Sequence, residues 1–302
     1  MYLQYYLEQL NYSKIPEFLS KYLETPALLR LKKVGYFCGM DYASKNIYSF
    51  REYISRYDHS LTVCLLTHKL TKNKTMALAG LFHDIATPCF SHVIDYMNKD
   101  YEKQESTEEY TEKILKNDEY LQKCLKEDNI KIEDIIDFKK YTVVDSERPK
   151  LCADRIDGII LTGIGWTKNL ELEDIKEIIE DLKIVKNEEN EEEIGFATLD
   201  VAKKVMNISK IIDSYCHSNE DNYMMELLAE ITKIAIDREY IKYEDLYTYN
   251  EEELFELFKS KKDLEELMTK FKSIRKEEIT DINLPMIKSR RITPMVNNER
   301  LK

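Results

Sequence analysis

Glycine and proline are scarce in this chain, which has seven glycines and six prolines among its 302 residues. Sandwiches and barrels of β-strands need many turns built from these residues, so the scarcity favours helices joined by short connections. The six cysteines, at positions 38, 64, 89, 124, 152 and 216, form no C-x-x-C pair. This spacing argues against a zinc ribbon and a disulfide framework, and favours reduced thiols.

Excess positive charge and long apolar runs are also missing. The net charge of −12 argues against broad binding to nucleic acids or anionic membranes, because phosphate groups attract clustered Lys and Arg. Apolar stretches such as 77–82 are far shorter than the ~20 residues that span a bilayer. Residues 1–14 lack the basic leader of a signal peptide. We therefore expect a cytoplasmic protein, without membrane contact, that binds a small molecule.

Hydrophobic spacing of the helical kind recurs through most of the chain. It predicts helices at 27–34, 61–68, 76–82, 151–161, 172–182, 199–212, 223–236 and 251–258. Start signals precede several of them: Thr25-Pro26, Asp58, Thr75, and capping boxes at Ser106/Glu109 and Asn250/Glu253. Only 182–185 and 194–197, on either side of a polar stretch, predict a short β-hairpin. The expected fold class is all-α with this hairpin near residues 182–197.

The domain organisation is less distinct. No linker rich in Pro, Gly or Ser divides the chain, and its length suits one large domain or two smaller ones. We expect a metal-binding core over residues 1–167 and a C-terminal helical portion over 168–302 packed on it. A single domain is the alternative.

Histidine is rare, with five in the chain, yet two of them are associated with carboxylates. His59 comes first, the adjacent pair His83-Asp84 follows, and Asp154 lies on a later apolar helix. Two imidazoles and two carboxylates are a ligand set for a divalent ion, with positions left for water and substrate. Such an ion lowers the pKa of bound water and polarises a phosphoryl oxygen. Their wide separation in the sequence predicts ligands that several helices deliver to one point.

A structural role is the alternative for each residue taken alone. Asp154 could pair with Arg155 or Arg56, and both histidines could be ordinary core residues. An unpaired carboxylate on an apolar helix is costly, so some cation must satisfy Asp154. The four residues together favour a metal site.

Several phrases of the sequence are similar to those of a known family. They are Arg56-Tyr57-Asp58-His59-Ser60-Leu61, Leu81-Phe82-His83-Asp84-Ile85, Phe90-Ser91-His92 and Ala153-Asp154-Arg155-Ile156-Asp157. In this order they resemble the HD-domain metal-dependent phosphohydrolases, and within them the deoxynucleoside triphosphate triphosphohydrolase (dGTPase-like) branch. The lead-in Glu24-Thr25-Pro26, followed by Arg30 and Leu31, also resembles that branch. The likeness covers residues 20–160, whereas the later helices match only in general pattern.

The resemblance implies a helical HD-domain fold and roles for seven residues. The metal ligands would be His59, His83, Asp84 and Asp154. Arg56 would bind substrate phosphate, with a salt bridge to Asp58 or another surface carboxylate as the alternative. His92 and Asp95 would support catalysis, although His92 could instead cap the chain break after Pro88. The divalent ion would be Mn, Fe, Co, Ni, Zn or Mg, and relatives lead us to expect a homo-oligomer, dimeric or larger.

The chain departs from the branch at helper positions. Thr87 stands where the phrase "H-D-x-G-H-x-P" has its second histidine, and Thr107 replaces the histidine of an "H-E-x-x-S" phrase. The glutamine that contacts the nucleotide sugar in relatives is not evident around 34–37. Threonine cannot transfer protons near neutral pH as imidazole does. His92, or a carboxylate among Asp95, Glu105 and Glu108, would then act as acid or base.

These observations leave several functions open. The preferred one is a metal-dependent phosphohydrolase acting on a deoxynucleoside triphosphate. The alternatives are a nucleoside monophosphatase or other phosphomonoesterase, a non-catalytic regulator that binds a nucleotide and a metal, and a structural helical scaffold. The basic residues Lys288, Arg290 and Arg291 are read as a solvated C-terminal tail, with an allosteric nucleotide or a partner subunit as the alternative ligand.

Overall fold

The computed structural model describes residues 1–104, 106, 110–283 and 286–301, and 57% of it is helical. The prediction of a mostly helical fold with a short β element is confirmed. The α-helices are α1 (Tyr2–Gln9), α2 (Pro26–Arg30), α3 (Arg56–Thr71), α4 (Lys74–Phe82), α5 (Val93–Met97), α6 (Thr111–Asn117), α7 (Glu119–Glu127), α8 (Glu133–Ile136), α9 (Ala153–Gly165), α10 (Leu172–Asp181), α11 (Leu199–Cys216), α12 (Asn219–Asp237), α13 (Glu251–Lys259) and α14 (Glu265–Ser273).

The helix that carries the first histidine begins earlier than its apolar run suggests. The N-cap of α3 is Ser55, whose hydroxyl accepts from the backbone N–H of Asp58 at 3.2 Å. The Asp58 carboxylate accepts in turn from the Ser55 N–H at 2.8 Å, which completes a capping box. Asp58 is therefore the third helical residue and not the cap. This start places both Arg56 and His59 in the first turns of the helix.

Other predicted helix starts have mixed outcomes. The N-cap of α4 is Asn73 rather than Thr75, because the Asn73 side chain accepts from the N–H of Met76. The start at Pro26 is confirmed, and so is the capping box at Asn250. The other predicted capping box needs Glu109, which lies outside the described residues.

The predicted hairpin belongs to a small four-stranded sheet. Its strands are β1 (Leu182–Lys186), β2 (Glu192–Phe196), β3 (Met295–Val296) and β4 (Glu299–Arg300), in that spatial order. β1 and β2 are antiparallel, β2 and β3 parallel, and β3 and β4 antiparallel. Gly195 lies opposite Met295, so the last residues of the chain return to the hairpin. The sequence predicted β1 and β2 but not the two C-terminal strands.

Two large hydrophobic clusters and a small third one, formed by Ala79, Phe138 and Val144, make up the core of the described residues. The larger of the two joins α1, α3, α4, α9 and α11, and the second joins α5, α12, α13 and α14. Each of the two large clusters contains residues from both sides of residue 167: Ile208 belongs to the first, and Met40 to the second. The core is therefore assembled across the chain, and the boundary at 167 stays a prediction. In the described part of the chain, no helix is both long and apolar enough to cross a bilayer.

The packing of α3 brings the distant motifs together. α3 packs against α4 and α9, and all three helices belong to the larger cluster. His83 directly follows α4, and Asp154 is the second residue of α9. The ends of these helices therefore meet the first turns of α3, which carry His59.

Candidate active site

The four predicted ligands converge on one point. Nε2 of His59 lies 3.1 Å from Oδ1 of Asp154, and Nε2 of His83 lies 3.5 Å from the same oxygen. The Asp84 carboxylate is close to both rings, with one oxygen 3.7 Å from His59 Nε2 and the other 3.6 Å from His83 Nε2. Donor atoms of His59, His83 and Asp154 all lie within 4.8 Å of one another. Separations of this size allow one ion to contact each donor after small side-chain adjustments.

Both histidines are held with Nε2 directed at the other donors. Nδ1 of His59 lies 2.7 Å from the carboxylate of Asp157, and Nδ1 of His83 lies 2.8 Å from the carbonyl oxygen of Gly80. These oxygens accept, so each Nδ1 donates, and each Nε2 is the nitrogen that faces the other donors. Metal-binding histidines usually donate their second nitrogen in this way. The Asp157 carboxylate is itself fixed by the hydroxyl of Tyr6, which donates to it at 2.6 Å.

The Nε2 atom of His83 shows whether the cluster fits an ion. Nε2 of His83 is buried and makes no hydrogen bond among the described residues. A buried polar atom without a partner is costly, and an ion at this point would satisfy it. The donor set of two imidazoles and two carboxylates suits a divalent transition metal or Mg²⁺. The residues present therefore fit a divalent ion.

The electrostatics of the cluster show strong coupling between its charges. Burial alone would raise the pKa of Asp84, but the neighbouring His83, Arg56 and His59 lower it to about 2. Burial opposes the charged form of His83 as well, yet Asp84 and Asp154 raise the pKa of this imidazole to about 10. The carboxylates therefore attract positive charge strongly into the cluster. A divalent ion supplies such charge without a proton.

The salt-bridge alternative for Asp154 does not match the geometry. Arg155 turns away from it: its guanidinium donates to the carbonyl oxygens of Ser146 and Lys150 and lies 3.7 Å from Asp145. Among the described residues, the ion-pair partners of the Asp154 carboxylate within 4 Å are the two imidazoles of the cluster.

A second group of donor atoms lies beside the first. It consists of Asp145, Cys152 and Asp154, again within 4.8 Å of one another. Burial raises the pKa of the Cys152 thiol to about 12, and Cys152 is not among the residues that line the cavity. Asp145 is also close to Arg155. We therefore assign no second metal to this group.

Arg56 lies against the cluster and not against Asp58. Its Nη1 donates to Asp84 at 2.9 Å, its Nε donates to the hydroxyl of Ser91 at 3.0 Å, and its guanidinium stacks 4.9 Å from the ring of Tyr36. Ser91 adopts a left-handed backbone with φ of 47°, which is uncommon outside glycine. The guanidinium is therefore fixed at the cavity wall next to a metal ligand. Its predicted contact with substrate phosphate stays a prediction.

His92 lies on the cavity wall and is paired with Asp95 behind it. Nδ1 of His92 lies 2.8 Å from the fully buried Asp95 carboxylate, which also accepts from the N–H of Ser106 at 3.1 Å. Burial is the main reason that the pKa of His92 is lowered, so the ring is neutral near pH 7. Its Nε2 is therefore a proton acceptor. Asp95 orients this ring and does not itself line the cavity.

Of the two threonines that replace histidines of the family motifs, Thr87 and Thr107, the structure describes Thr87. Thr87 is buried, and its carbonyl oxygen accepts from Arg30 at 2.6 Å. It is not among the residues that line the cavity. Thr107, Glu105 and Glu108 lie outside the described residues.

The cluster opens into a cavity of about 880 Å³, large enough for a nucleotide. One part of the wall is aromatic: Phe37 and Phe50 stack with centroids 4.5 Å apart, and Tyr48 and Trp166 extend this surface. Asp221 lies in the same wall and accepts from the Tyr48 hydroxyl at 2.6 Å. Burial raises the pKa of Asp221 to about 7.

Several residues of the site were not predicted from the sequence. Asp157 appeared only as part of a motif, and its role behind His59 depends on a contact between two helices. Lys288 and Arg290 line the cavity, whereas only Arg291 fits the expected solvated tail, with 65% of its side chain exposed. Arg148 lines the cavity as well. The sequence signal for Lys288 and Arg290 was a run of basic residues. Such a run does not indicate that its segment packs back against the cavity.

Comparison with known proteins agrees with the motif analysis. Residues 56–158 match the family described as HD domain, and this stretch contains all four predicted ligands. The match supports the resemblance of this stretch to the HD-domain superfamily. A Bacillus subtilis (strain 168) protein described as "Uncharacterized protein YdhJ" is 28% identical to the chain over 227 residues. That alignment covers 73% of this chain and 66% of the relative, just under two thirds of its length.

Proposed function

We propose that this protein hydrolyses a nucleotide in a reaction that requires a divalent ion, and that its preferred substrate is a deoxynucleoside triphosphate. The observation that carries the proposal is the buried, unpartnered Nε2 of His83 beside three further donor groups, at one end of a cavity of about 880 Å³. The reaction would release the nucleoside and inorganic tripolyphosphate.

The ion would be held by His59, His83, Asp84 and Asp154. When bound, it supplies Lewis acidity toward a phosphoryl oxygen and lowers the pKa of water. Most phosphoryl-transfer catalysis consists of positioning and charge stabilisation. Anchored donors such as these reduce the reorganisation that the reaction requires.

The neighbouring residues have separate tasks in this proposal. Arg56 supplies a planar guanidinium next to Asp84, where it can bind a phosphoryl oxygen and stabilise its charge. Nε2 of His92 accepts the proton of the attacking water, because the ring is neutral and Asp95 fixes its Nδ1–H. His92 would thus replace the absent helper histidines. Attack on the α-phosphorus breaks its bond to the 5′ oxygen, so the proton that His92 takes from the water passes on to the leaving 5′ oxygen of the nucleoside, and the water oxygen stays on the tripolyphosphate.

The aromatic part of the cavity supports a nucleotide in preference to a simple phosphate ester. Phe37, Phe50 and Trp166 offer aromatic rings to the cavity, of the kind against which bases pack. The carboxyl group of Asp221 and the hydroxyl of Tyr48 add a polar pair beside it. A small phosphomonoester would leave this wall empty.

A regulator that binds a nucleotide without hydrolysing it is the second candidate. The observation in its favour is Thr87, which replaces a helper histidine and does not line the cavity. A deoxynucleoside monophosphatase is a further alternative, in which the same cluster acts on a single phosphate.

A nucleotide panel tests these candidates. Protein stripped with EDTA is reconstituted with Mn²⁺ and incubated with deoxynucleoside triphosphates, ribonucleoside triphosphates, deoxynucleoside monophosphates and p-nitrophenyl phosphate, and the products are separated by ion-exchange chromatography. We expect Mn²⁺-dependent release of tripolyphosphate from deoxynucleoside triphosphates, and no release by the His83→Ala/Asp84→Ala double variant. Orthophosphate from the monoesters alone would favour the phosphatase. Nucleotide-induced thermal stabilisation without any product would favour the regulator.

A further inference from the structure

The C-terminal segment brings two cations to the cavity that contains the His/Asp cluster. Lys288 and Arg290 both line this cavity, together with Arg148 from the loop before α9. The segment is fixed from two directions. The backbone N–H of Lys288 donates to the carbonyl oxygen of Tyr101 at 3.0 Å, and that of Arg290 donates to Asp213 at 2.6 Å.

The side chains of this segment are also held in place. Nζ of Lys288 donates to the carbonyl oxygen of Lys103 at 2.7 Å, and Nη2 of Arg290 donates to the side-chain oxygen of Gln104 at 2.5 Å. These acceptors are neutral, so they orient the cations without neutralising them. Among the described residues, neither Lys288 nor Arg290 forms an ion pair within 4 Å.

Arg148 is the least satisfied of the three cations. Its Nε and Nη1 are buried and make no hydrogen bond with any described residue. Burial is the main cause that lowers its pKa to about 9, and repulsion by Arg290 and Arg155 adds to this effect. Burial and then repulsion by Arg290 and Arg148 lower the pKa of Lys288 too. Like charges are therefore gathered at a cost in stability, and a bound anion would recover that cost.

We propose that Arg148, Lys288 and Arg290 form an anion-binding subsite that takes the distal phosphates of a polyphosphate chain whose reacting phosphate lies at the His/Asp cluster. The identity of the chain as part of a nucleotide rests on the proposed function, whereas binding of the polyphosphate does not. A guanidinium offers paired N–H donors that match phosphate oxygens, and Arg148 has such donors unused.

The position of the subsite favours a chain over a second, independent phosphate. Arg148 and Lys288 are close enough to the cluster that Asp154 influences both pKa values, although less than burial and the neighbouring cations do. All of these residues line one continuous cavity. A single phosphate at the cluster would leave the three cations uncompensated, so the arrangement selects a polyphosphate over a monophosphate.

The test is metal-free binding of inorganic phosphates to the full-length protein. Isothermal titration calorimetry in EDTA, at fixed ionic strength, compares tripolyphosphate, pyrophosphate and orthophosphate. We expect wild-type protein to bind tripolyphosphate most tightly, and Arg148→Gln and Arg290→Gln each to weaken this binding at least tenfold. Arg148→Lys should recover part of the loss. The proposal is overturned if wild-type protein does not bind tripolyphosphate, if orthophosphate binds as tightly, or if the Gln variants bind like wild type.

Arg291→Gln is the matched control. Arg291 belongs to the same segment and carries the same charge, but its guanidinium is exposed and pairs with Asp213 at 2.7 Å outside the cavity. We expect its Kd for tripolyphosphate to stay within twofold of wild type. An equal loss of tripolyphosphate affinity in Arg291→Gln and Arg290→Gln would show that net charge alone causes the loss. That result would contradict the subsite.

Thermal unfolding separates binding from a structural role. Because the two buried nitrogens of Arg148 lack partners, Arg148→Gln should leave the Tm of the ligand-free protein unchanged or raise it. A clear drop in this Tm would show that Arg148 stabilises the fold, and it would contradict the role of Arg148 as an anion ligand. Tripolyphosphate binding without hydrolysis of any nucleotide would refute the proposed function alone, whereas hydrolysis with unaltered KM in the Gln variants would refute the subsite alone.

Discussion

The two ends of the cavity are held in different ways. At the metal end three of the four predicted ligands are oriented by a partner, namely Asp157 for His59, the Gly80 carbonyl for His83 and Arg56 for Asp84, while Nε2 of His83 has no partner at the point where an ion would bind. At the cationic end Arg148 has buried nitrogens without partners. The metal end therefore resembles a site built for fixed geometry, and the cationic end a site whose charges await a ligand. Changes at the first should alter the reaction, and changes at the second should alter affinity.

The largest effect is expected from Asp84→Asn. It removes a charged ligand and leaves Arg56 without its partner, so metal content should fall below one tenth of an equivalent. The hydrolysis rate should fall by about 10²–10³, the range for losing one preorganised charge-stabilising group. Elemental analysis and initial rates measure both.

Asp237→Asn is the control for that change, because its carboxylate is exposed and paired with Lys233. It should behave like wild type. Full activity in Asp84→Asn would break the distinction between the two ends.

Removal of the His92 imidazole should cost somewhat less. We expect His92→Gln to lower kcat about a hundredfold, the lower end for loss of a general base, with metal content unchanged. Rates measured with saturating Mn²⁺ test this. An unchanged kcat would assign His92 to the wall of the cavity and not to the chemistry.

The pH profile tests Asp95 as a positioning residue. The Asp95 hydrogen bond raises the pKa of His92 against the larger effect of burial. Asp95→Asn should therefore lower this pKa further and move the acidic limb of the kcat profile to lower pH. A merely structural Asp95 would lower kcat without moving the limb.

A smaller effect on metal binding is expected from Asp157, which holds the His59 ring in place. Asp157→Asn weakens the hold on Nδ1 of His59, and partners of this kind change metal affinity by about 10–100-fold. Competition with a fluorescent chelator measures this affinity. Tripolyphosphate binding in EDTA should stay within twofold, and a matching loss there would show that the two ends are not independent.

The smallest effect is expected at the anchor of the C-terminal segment. Asp213 accepts from the backbone N–H of Arg290 and from the Ser289 hydroxyl at 3.0 Å. Asp213→Asn removes the charge from these hydrogen bonds, so the segment should loosen and tripolyphosphate affinity should fall about three- to tenfold. Metal affinity should not change. A larger loss of metal affinity than of tripolyphosphate affinity would contradict the assignment of Asp213 to the cationic end.

The predicted metal ligands could be identified from the sequence because they lie in motifs with a characteristic local context. His83-Asp84 ends an apolar helix, and Asp154 begins another, so helical periodicity placed them correctly. The hairpin at β1 and β2 was visible for a similar reason, since its strands are adjacent in the chain. The C-terminal strands were not, because β3 pairs with a strand far away in the sequence.

The sequence by itself determined the helical fold class and the composition of the His/Asp cluster, because periodicity and motif spacing are local properties. Only the tertiary structure decided that Asp157 holds His59, that Arg56 faces Asp84 and not Asp58, and that Lys288 and Arg290 line the cavity. These contacts depend on helix packing and on the return of the chain to its first half. Side-chain orientation across such distances follows from the packing of the core, which no local pattern encodes.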